Sequence, residues 1–139
     1  DVTFKTRYEA DEKYEDVISG KMRVAGGWRV YSSGPGIYVS LIIKKLIGFR
    51  AFNDYVVIDP VLTDEMNEFK ASFNFKGFDL NWTFVVKTGN YSPKSIVVNG
   101  QCLDFGKEEN PYRTGGALIA MEEFICHLKT GENNIYVML

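Results

Sequence analysis

The sequence predicts a mainly β fold, an antiparallel β-sandwich or jelly roll preceded by one α-helix. Polar and apolar residues alternate over residues 68–76 and again after the turn at Lys76-Gly77, which is typical of paired strands with one buried face. Asn99-Gly100 joins two short apolar runs and is a strong signal for a tight hairpin turn. Helical spacing of apolar residues is clear only over residues 35–47. At 45% hydrophobic and 14% aromatic residues, the chain has the composition of a globular domain.

The helix follows a polar N-terminal stretch and a glycine-rich segment. Residues 1–22 show no firm period and are expected to form loop or short helix. We predict the helix over residues 35–47, with Ser33 as its N-cap, Pro35 in its first turn and Gly48 ending it. Its apolar stripe consists of Val39, Ile42, Ile43, Leu46 and Ile47.

Strand signals occupy the rest of the chain. Phe69–Phe75 and residues 78–86 form the clearest hairpin, and its apolar phase places Trp82 and Phe84 in the core. Residues 118–128 fit a strand or a helix by period alone, and their position before Gly131 favours a strand. The other predicted strands are residues 55–59, 96–98, 101–105 and 135–139, with a charged loop at 106–116.

Composition excludes several classes of function. The net charge is −2 and no basic block occurs, which argues against a nucleic-acid or anionic-membrane surface. The longest apolar run is interrupted by Lys44 and Lys45 and is too short to cross a bilayer. Cys102 and Cys126 lie in apolar contexts, so we expect two buried, unpaired thiols in a cytoplasmic protein. With His127 as the one histidine, a structural role is favoured and no metal site is predicted.

The loop that leads into the helix is the first candidate site. Amide N–H groups at a helix start lack intrahelical partners and attract anions. Ser32 and Ser33 add hydroxyl donors, Gly34 lets the main chain approach a ligand closely, and Arg29 offers a bidentate contact. This chemistry suits phosphate, although from spacing alone an ordinary capped helix is the more common explanation.

The remaining candidates are aromatic or charged. Exposed rings could stack on sugars, or they could pack in the core or at a domain interface; the set is Trp28, Tyr31, Tyr38 and Tyr112. The carboxylate pairs Glu108-Glu109 and Glu122-Glu123 are expected to be solvated rather than catalytic. Arg113 is expected to anchor its loop.

Three segments resemble family-94 glycoside phosphorylases, the family of cellobiose phosphorylase. The run GGWRVYSSGPGIYVSLIIKKLIGFR resembles the end of the family's (α/α)6 catalytic barrel, with Ser33-Gly34 at the place of its phosphate-binding Thr-Gly pair. Leu46–Arg50 matches the end of the last barrel helix, and Ile58–Leu62 matches the entry to a C-terminal jelly roll. Asn110–Gly116 resembles the branch that acts on β-1,2-linked oligoglucans.

The resemblance implies a fragment of a larger enzyme. Residues 1–54 would be the tail end of the helical barrel and residues 55–139 the β-domain. The family cleaves β-glucosides with inorganic phosphate and inversion, with phosphate as co-substrate and no cofactor, and its catalytic Asp lies upstream, so no catalytic residue is assigned here. The implied partners are a β-linked glucan oligosaccharide and the rest of the same polypeptide. The expected ligands are Ser33, Gly34 and Ser32 for phosphate and Trp28, Arg29 and Tyr31 for substrate. A non-catalytic carbohydrate-binding module is the alternative.

Overall fold

The computed structural model describes residues 4–23, 33–87, 92–112 and 114–139. Contacts divide the chain into two compact units, residues 1–38 and 39–139, with the boundary inside one helix. The predicted domain boundary between residues 54 and 55, which separates the end of the helical barrel from the β-domain, remains a prediction. Among the residues described, no helix combines the length and the apolar character that crossing a bilayer requires.

The described residues of the first unit contain two short helices and the start of a third. Helices α1 (Arg7–Glu12) and α2 (Tyr14–Ile18) agree with the expected short helical content. Thr6 caps α1, since its Oγ1 accepts a hydrogen bond from the Glu9 amide at 3.2 Å. The Glu9 carboxylate in turn accepts a hydrogen bond from the amide of Lys5, the residue before the N-cap, at 3.0 Å, so the pair forms a capping box shifted by one residue.

Helix α3 spans Ser33–Leu41 and continues as a π-helical segment, Ile42–Leu46. The prediction of an α-helix to Ile47 is therefore wrong beyond Leu41. The Ile47 amide donates to the Ile42 carbonyl at 2.9 Å, an i to i+5 bond that widens the turn. Ile47 becomes buried, and Gly48 ends the segment with φ +78°, as predicted. Three further apolar side chains of the segment pack against the core: Ile42, Ile43 and Leu46.

The smaller sheet has four antiparallel strands in the order β1-β2-β8-β7. Its centre is the pair β2 and β8, in which both strands are largely buried. The strands are β1 (Phe49–Ala51), β2 (Tyr55–Ile58), β7 (Gly106–Lys107) and β8 (Ala117–Ala120).

The larger sheet has five strands in the order β3-β4-β9-β5-β6. Both predicted hairpins are present, and positive φ at Asn99 and Gly100 fits the expected turn. The prediction of purely antiparallel pairing is wrong for β9, which runs parallel to β4. The last strand fills the gap between β4 and β5, which run in opposite directions, so it must be parallel to one of them. The strands are β3 (Phe69–Phe75), β4 (Phe78–Val85), β5 (Ser95–Val98), β6 (Gln101–Cys102) and β9 (Glu132–Met138).

One hydrophobic core receives side chains from both sheets. Phe49 of β1 contacts Phe73 of β3, with ring centroids 5.5 Å apart, and Trp82 of β4 at 5.4 Å. Trp82 is 1% exposed and stacks on Phe84, which is fully buried, so their predicted core positions are confirmed. The prediction of a mainly β fold is also confirmed, although the described residues contain further short helices besides the predicted one.

The segment after β8 differs from the prediction. Strand β8 ends at Ala120, and helix α4 follows over Met121–Cys126. Met121 and Phe124 are buried while the glutamates between them are exposed, a helical rather than an alternating pattern. The apolar residues Met121, Phe124, Ile125 and Leu128 follow i, i+3, i+4, i+7 spacing, which was the better signal.

Candidate functional site

The predicted phosphate site lies mostly outside the described residues, which omit Trp28, Arg29, Tyr31 and Ser32. Ser33 is the first residue of α3, so the helix begins two residues earlier than predicted. Pro35 falls in the first turn, where a missing N–H is tolerated. A Cβ placed on Gly36 would meet no described atom within 4 Å. The first turn is helical, and the phosphate contacts of Ser33 and Gly34 remain predictions.

Helix α3 presents exposed apolar side chains. Ile37 is 60% exposed, Tyr38 66% and Leu41 50%. At 100° per residue these three fall within a single arc of the helix surface. Val39, a member of the predicted apolar stripe, is 52% exposed and lies on the opposite side of the helix from these three. Large contiguous apolar surface on a helix indicates a surface that packs on something else.

The end of the π-helical segment is tied to the exit of β2. The Asp59 amide donates to the Gly48 carbonyl at 3.0 Å, and the Val61 amide donates to the Leu46 carbonyl at 3.0 Å. Strand pairing places Phe49 opposite Ile58. Two of the segments that carried the family resemblance, residues 46–50 and 58–62, are therefore hydrogen-bonded neighbours.

Gly48 is required at this contact for two reasons. Its φ of +78° is rarely adopted by residues with a side chain. A Cβ built on it would also lie 2.1 Å from the carbonyl carbon of Asp59 and 2.3 Å from the nitrogen of Pro60. Since both obstacles are backbone atoms, a side chain here would force the two segments apart.

Arg50 joins this contact to the loop at residues 106–116. Its guanidinium Nη2 lies 3.4 Å from Oδ2 of Asp59 and 2.5 Å from Oε2 of Glu108. The Arg50 side chain is 25% exposed, that of Asp59 6% and that of Glu108 26%. The expectation that Glu108 is simply solvated is therefore wrong, because its carboxylate is paired with Arg50.

Two glycines fold the loop against the same residues. A Cβ on Gly115 would fall 1.6 Å from the Glu108 carbonyl oxygen, and one on Gly116 would fall 2.5 Å from the Asp59 Cβ. The Glu108 amide donates to the Gly116 carbonyl at 2.9 Å. We call Gly48, Arg50, Asp59, Glu108, Gly115 and Gly116 the Arg50 junction.

The Arg50 junction is suited to positioning rather than to chemistry. Its one guanidinium is engaged by two carboxylates, which leaves it a poor ligand for an incoming phosphate. Arg50 and Glu108 are 58 residues apart in the sequence, so neither spacing nor local pattern could pair them. The junction fixes the end of the helix and the loop at residues 106–116 on the same sheet.

Other predicted residues show mixed outcomes. Tyr112 is 94% exposed, so its ring is accessible.

Cys102 and Cys126 are both exposed, and the prediction of buried thiols is wrong. Cys102 lies on the edge strand β6, and Cys126 is the last residue of α4, positions that alternation alone does not reveal. His127 is the C-cap of α4, not part of a strand, and its Nδ1 lies 2.9 Å from the Glu123 carbonyl oxygen.

Comparison with known proteins agrees with the architecture. Residues 48–137 match the family described as "Glycoside phosphorylase C-terminal domain". The chain is also 35% identical over 119 residues to a protein of Listeria innocua serovar 6a named 1,2-beta-oligoglucan phosphorylase. That alignment covers 86% of this chain and 11% of the relative, so the chain spans about a tenth of the relative's length. The matched region contains both sheets and the whole Arg50 junction. The chain belongs to the glycoside phosphorylase C-terminal domain family and corresponds to the C-terminal region of a family-94 type enzyme.

Proposed function

We propose that the chain is part of a longer glycoside phosphorylase that cleaves a β-glucosidic bond with inorganic phosphate and inverts the anomeric carbon. The observation that carries this proposal is the alignment over 119 residues with an oligoglucan phosphorylase. In this proposal phosphate attacks one face of the sugar while an acid protonates the leaving oxygen from the other face. Phosphate is then a co-substrate, no cofactor is needed, and the other substrate is a β-linked glucan oligosaccharide.

The loop before α3 forms one wall of the phosphate site in this proposal. The helical first turn of α3 supports it, because the first four amides of a helix have no intrahelical acceptor and are available to an oxyanion. The catalytic acid is supplied from outside this chain. The proposed phosphate ligands are Ser33, Gly34 and Ser32, and the proposed sugar contacts are Trp28, Arg29 and Tyr31.

The β-domain supports the catalytic barrel in this proposal. Two sheets that share one core are the layout of a sandwich or jelly roll. Helix α3 would be the last helix of the (α/α)6 barrel, and its exposed face of Ile37, Tyr38 and Leu41 would dock on the preceding helices of the same polypeptide. The relative is long enough to hold such a barrel, since this chain spans 11% of it. The proposal includes a cytoplasmic location, where free thiols such as Cys102 stay reduced.

Phosphate kinetics of the full-length enzyme test the site. Ser33→Ala is expected to raise the KM for phosphate about tenfold or more, since a hydrogen bond to a charged group contributes about 1.5–3 kcal/mol. Ser40→Ala, the same change further along α3, is the matched control and should leave the KM unchanged. Release of a sugar 1-phosphate from β-1,2-oligoglucans and from cellobiose is the readout. Equal effects of the two substitutions would remove Ser33 from the site.

The 139-residue chain alone tests where the acid lies. We expect no phosphorolysis by the isolated chain with either glucan, because no acid is assigned within it. Turnover by this chain would contradict the proposal that the acid comes from the preceding barrel.

Glycan binding by the β-domain itself is the second candidate function. The ring of Tyr112 is 94% exposed in the loop at residues 106–116, and flat exposed rings stack on sugars. Titration of the 139-residue chain with β-linked glucan oligosaccharides tests it, with Tyr112→Ala as the variant and Tyr8→Ala, another exposed tyrosine, as the control. Binding that is lost only with Tyr112→Ala would establish the carbohydrate-binding function.

A further inference from the structure

The end of helix α4 brings together three different metal-ligating side chains. Glu123, Cys126 and His127 place one carboxylate oxygen, one thiol sulfur and one ring nitrogen within 4.8 Å of one another. No metal site is predicted from the sequence, because a single histidine and no cysteine pair offer too few ligands. The helical turn at residues 121–126, which was predicted as strand, is what places these residues on one face.

The distances fit a tetrahedral ion. Cys126 Sγ lies 3.4 Å from His127 Nδ1, and His127 Nδ1 lies 3.6 Å from Glu123 Oε1. Zinc bonds of about 2.3 Å to sulfur and about 2.0–2.1 Å to nitrogen or oxygen place tetrahedral ligand atoms about 3.3–3.6 Å apart. Two of the three pairs of donor atoms thus already have the spacing that one Zn²⁺ ion requires, and the third pair, from Cys126 and Glu123, lies within 4.8 Å.

The main-chain carbonyl of Glu123 points into the same cluster. It lies 2.9 Å from His127 Nδ1 and 3.1 Å from Cys126 Sγ, and it accepts a hydrogen bond from the thiol and, in the tautomer with the ring proton on Nδ1, from the ring; a bound ion replaces both protons. A carbonyl at the end of a helix carries partial negative charge and favours a cation. The last turn of α4 has no basic residue to oppose one.

Helix α4, which carries the cluster, is anchored on the hydrophobic core. Phe124 is fully buried and Met121 is 5% exposed, which anchors α4 on the core. The His127 carbonyl accepts a hydrogen bond from Asn99 Nδ2 at 2.9 Å. The His127 side chain is 14% exposed and that of Glu123 50%, so the ring is held while an ion can still enter from solvent. Ligands held before binding lose less conformational entropy when the ion arrives.

We propose that Glu123, Cys126 and His127 form a binding site for one divalent transition-metal ion of the zinc class, with water in the fourth position. Thiolate and imidazole together select such ions over Mg²⁺ and Ca²⁺, which prefer oxygen ligands. The three ligands lie within five residues, so the bound ion holds together the last turn of α4 and its C-cap. The site lies in the β-domain and does not depend on the proposed phosphorylase activity.

Cobalt titration tests the site directly. Co²⁺ added to the metal-free 139-residue protein is expected to give a thiolate-to-cobalt charge-transfer band that saturates at one equivalent and is displaced by Zn²⁺. Cys126→Ser should weaken Co²⁺ binding at least about 100-fold and abolish the band, since loss of groups that merely orient ligands already costs about 10–100-fold. Cys102→Ser removes the other exposed thiol and should leave the spectrum unchanged.

Two further outcomes decide the proposal. His127→Asn should also abolish the band, while circular dichroism confirms that each variant remains folded. Zn²⁺ should raise the Tm of the parent and of Cys102→Ser but not that of Cys126→Ser. A band that survives in Cys126→Ser, or no band in the folded parent protein, would overturn the proposal.

Discussion

Arg50 Nη2 lies 2.5 Å from Glu108 Oε2, a contact that joins β1 to a loop 58 residues later. The same nitrogen faces Asp59 at 3.4 Å. Arg50 and Asp59 belong to segments that carry the family resemblance, and the contact lies where the helix end, the exit of β2 and the loop that contains Glu108 meet. The ion pair therefore holds three segments whose relative placement the proposed enzyme depends on.

Replacing Arg50 tests that role. Arg50→Met keeps the length of the side chain and removes both ion pairs, and we expect a loss of about 1–3 kcal/mol in the free energy of unfolding. The range lies between the small contribution of exposed pairs and the larger cost of breaking a buried one. Urea denaturation of the 139-residue chain measures it. Lys13→Met, which removes the exposed Glu9 pair, is the control and should change the free energy by less than about 0.5 kcal/mol; equal losses would show that Arg50 contributes no more than a surface charge.

Gly48 offers a test of close backbone packing. Gly48→Ala combines a positive φ with a Cβ 2.1 Å from the Asp59 carbonyl carbon, so we expect it to cost more than about 3 kcal/mol or to prevent folding. Gly77→Ala is the matched control. It has φ +89° but no described atom within 4 Å of its Cβ, so only the conformational cost of about 1–2 kcal/mol applies. Comparison of the urea midpoints of the two variants separates the cost of the steric clash from the cost of the positive φ. Similar midpoints would mean that the contact with Asp59 is not close.

The sequence predicted the elements whose signal is local. The hairpin of β3 and β4 follows alternation, and the turn at Asn99-Gly100 follows from residues that tolerate positive φ. The sequence also correctly predicted that Gly48 ends the helix. Each of these features is decided by residues adjacent in the chain.

Features that depend on distant residues were not predictable in the same way. The parallel pairing of β9 with β4 depends on which two strands flank β9 in the sheet, and no local pattern in the sequence specifies them. The Arg50 junction depends on tertiary contacts between residues far apart in sequence. Helix α4 could have been predicted, because Met121 and Phe124 have helical spacing. The prediction of a strand gave too much weight to the position of this segment before Gly131. For the candidate site, the expected phosphate-binding residues come from the family resemblance, whereas no pattern in the sequence indicated the contacts around Arg50.

Glu9 provides a test of the capping box of α1. The hydrogen bond from the Lys5 amide, followed by that from Lys13, lowers the pKa of the Glu9 carboxyl below its ordinary value of 4.5. A lowered pKa in the folded state means that the contribution to stability is present above pH 4.5 and is lost as pH falls through the lower folded value. Carboxyl-carbon NMR titration measures this pKa. In Lys13→Met we expect it to rise partway toward 4.5, because the larger backbone contribution remains; a full return would contradict the capping box.

Asn133 is a fully buried polar residue at the start of β9, and its amide group is surrounded by partners. Its Oδ1 accepts from the Lys129 amide at 2.8 Å and from Asn99 Nδ2 at 2.8 Å, and its Nδ2 donates to the Gly131 carbonyl at 2.9 Å. Asn133→Ala removes these three hydrogen bonds at a fully buried position, so we expect a loss of about 2–4 kcal/mol in the free energy of unfolding. Asn134→Ala, in the exposed neighbouring position, is the control and should cost less than about 1 kcal/mol in the same urea denaturation. Comparable losses in the two variants would mean that the side chain of Asn133 contributes little to the connection between α4 and β9.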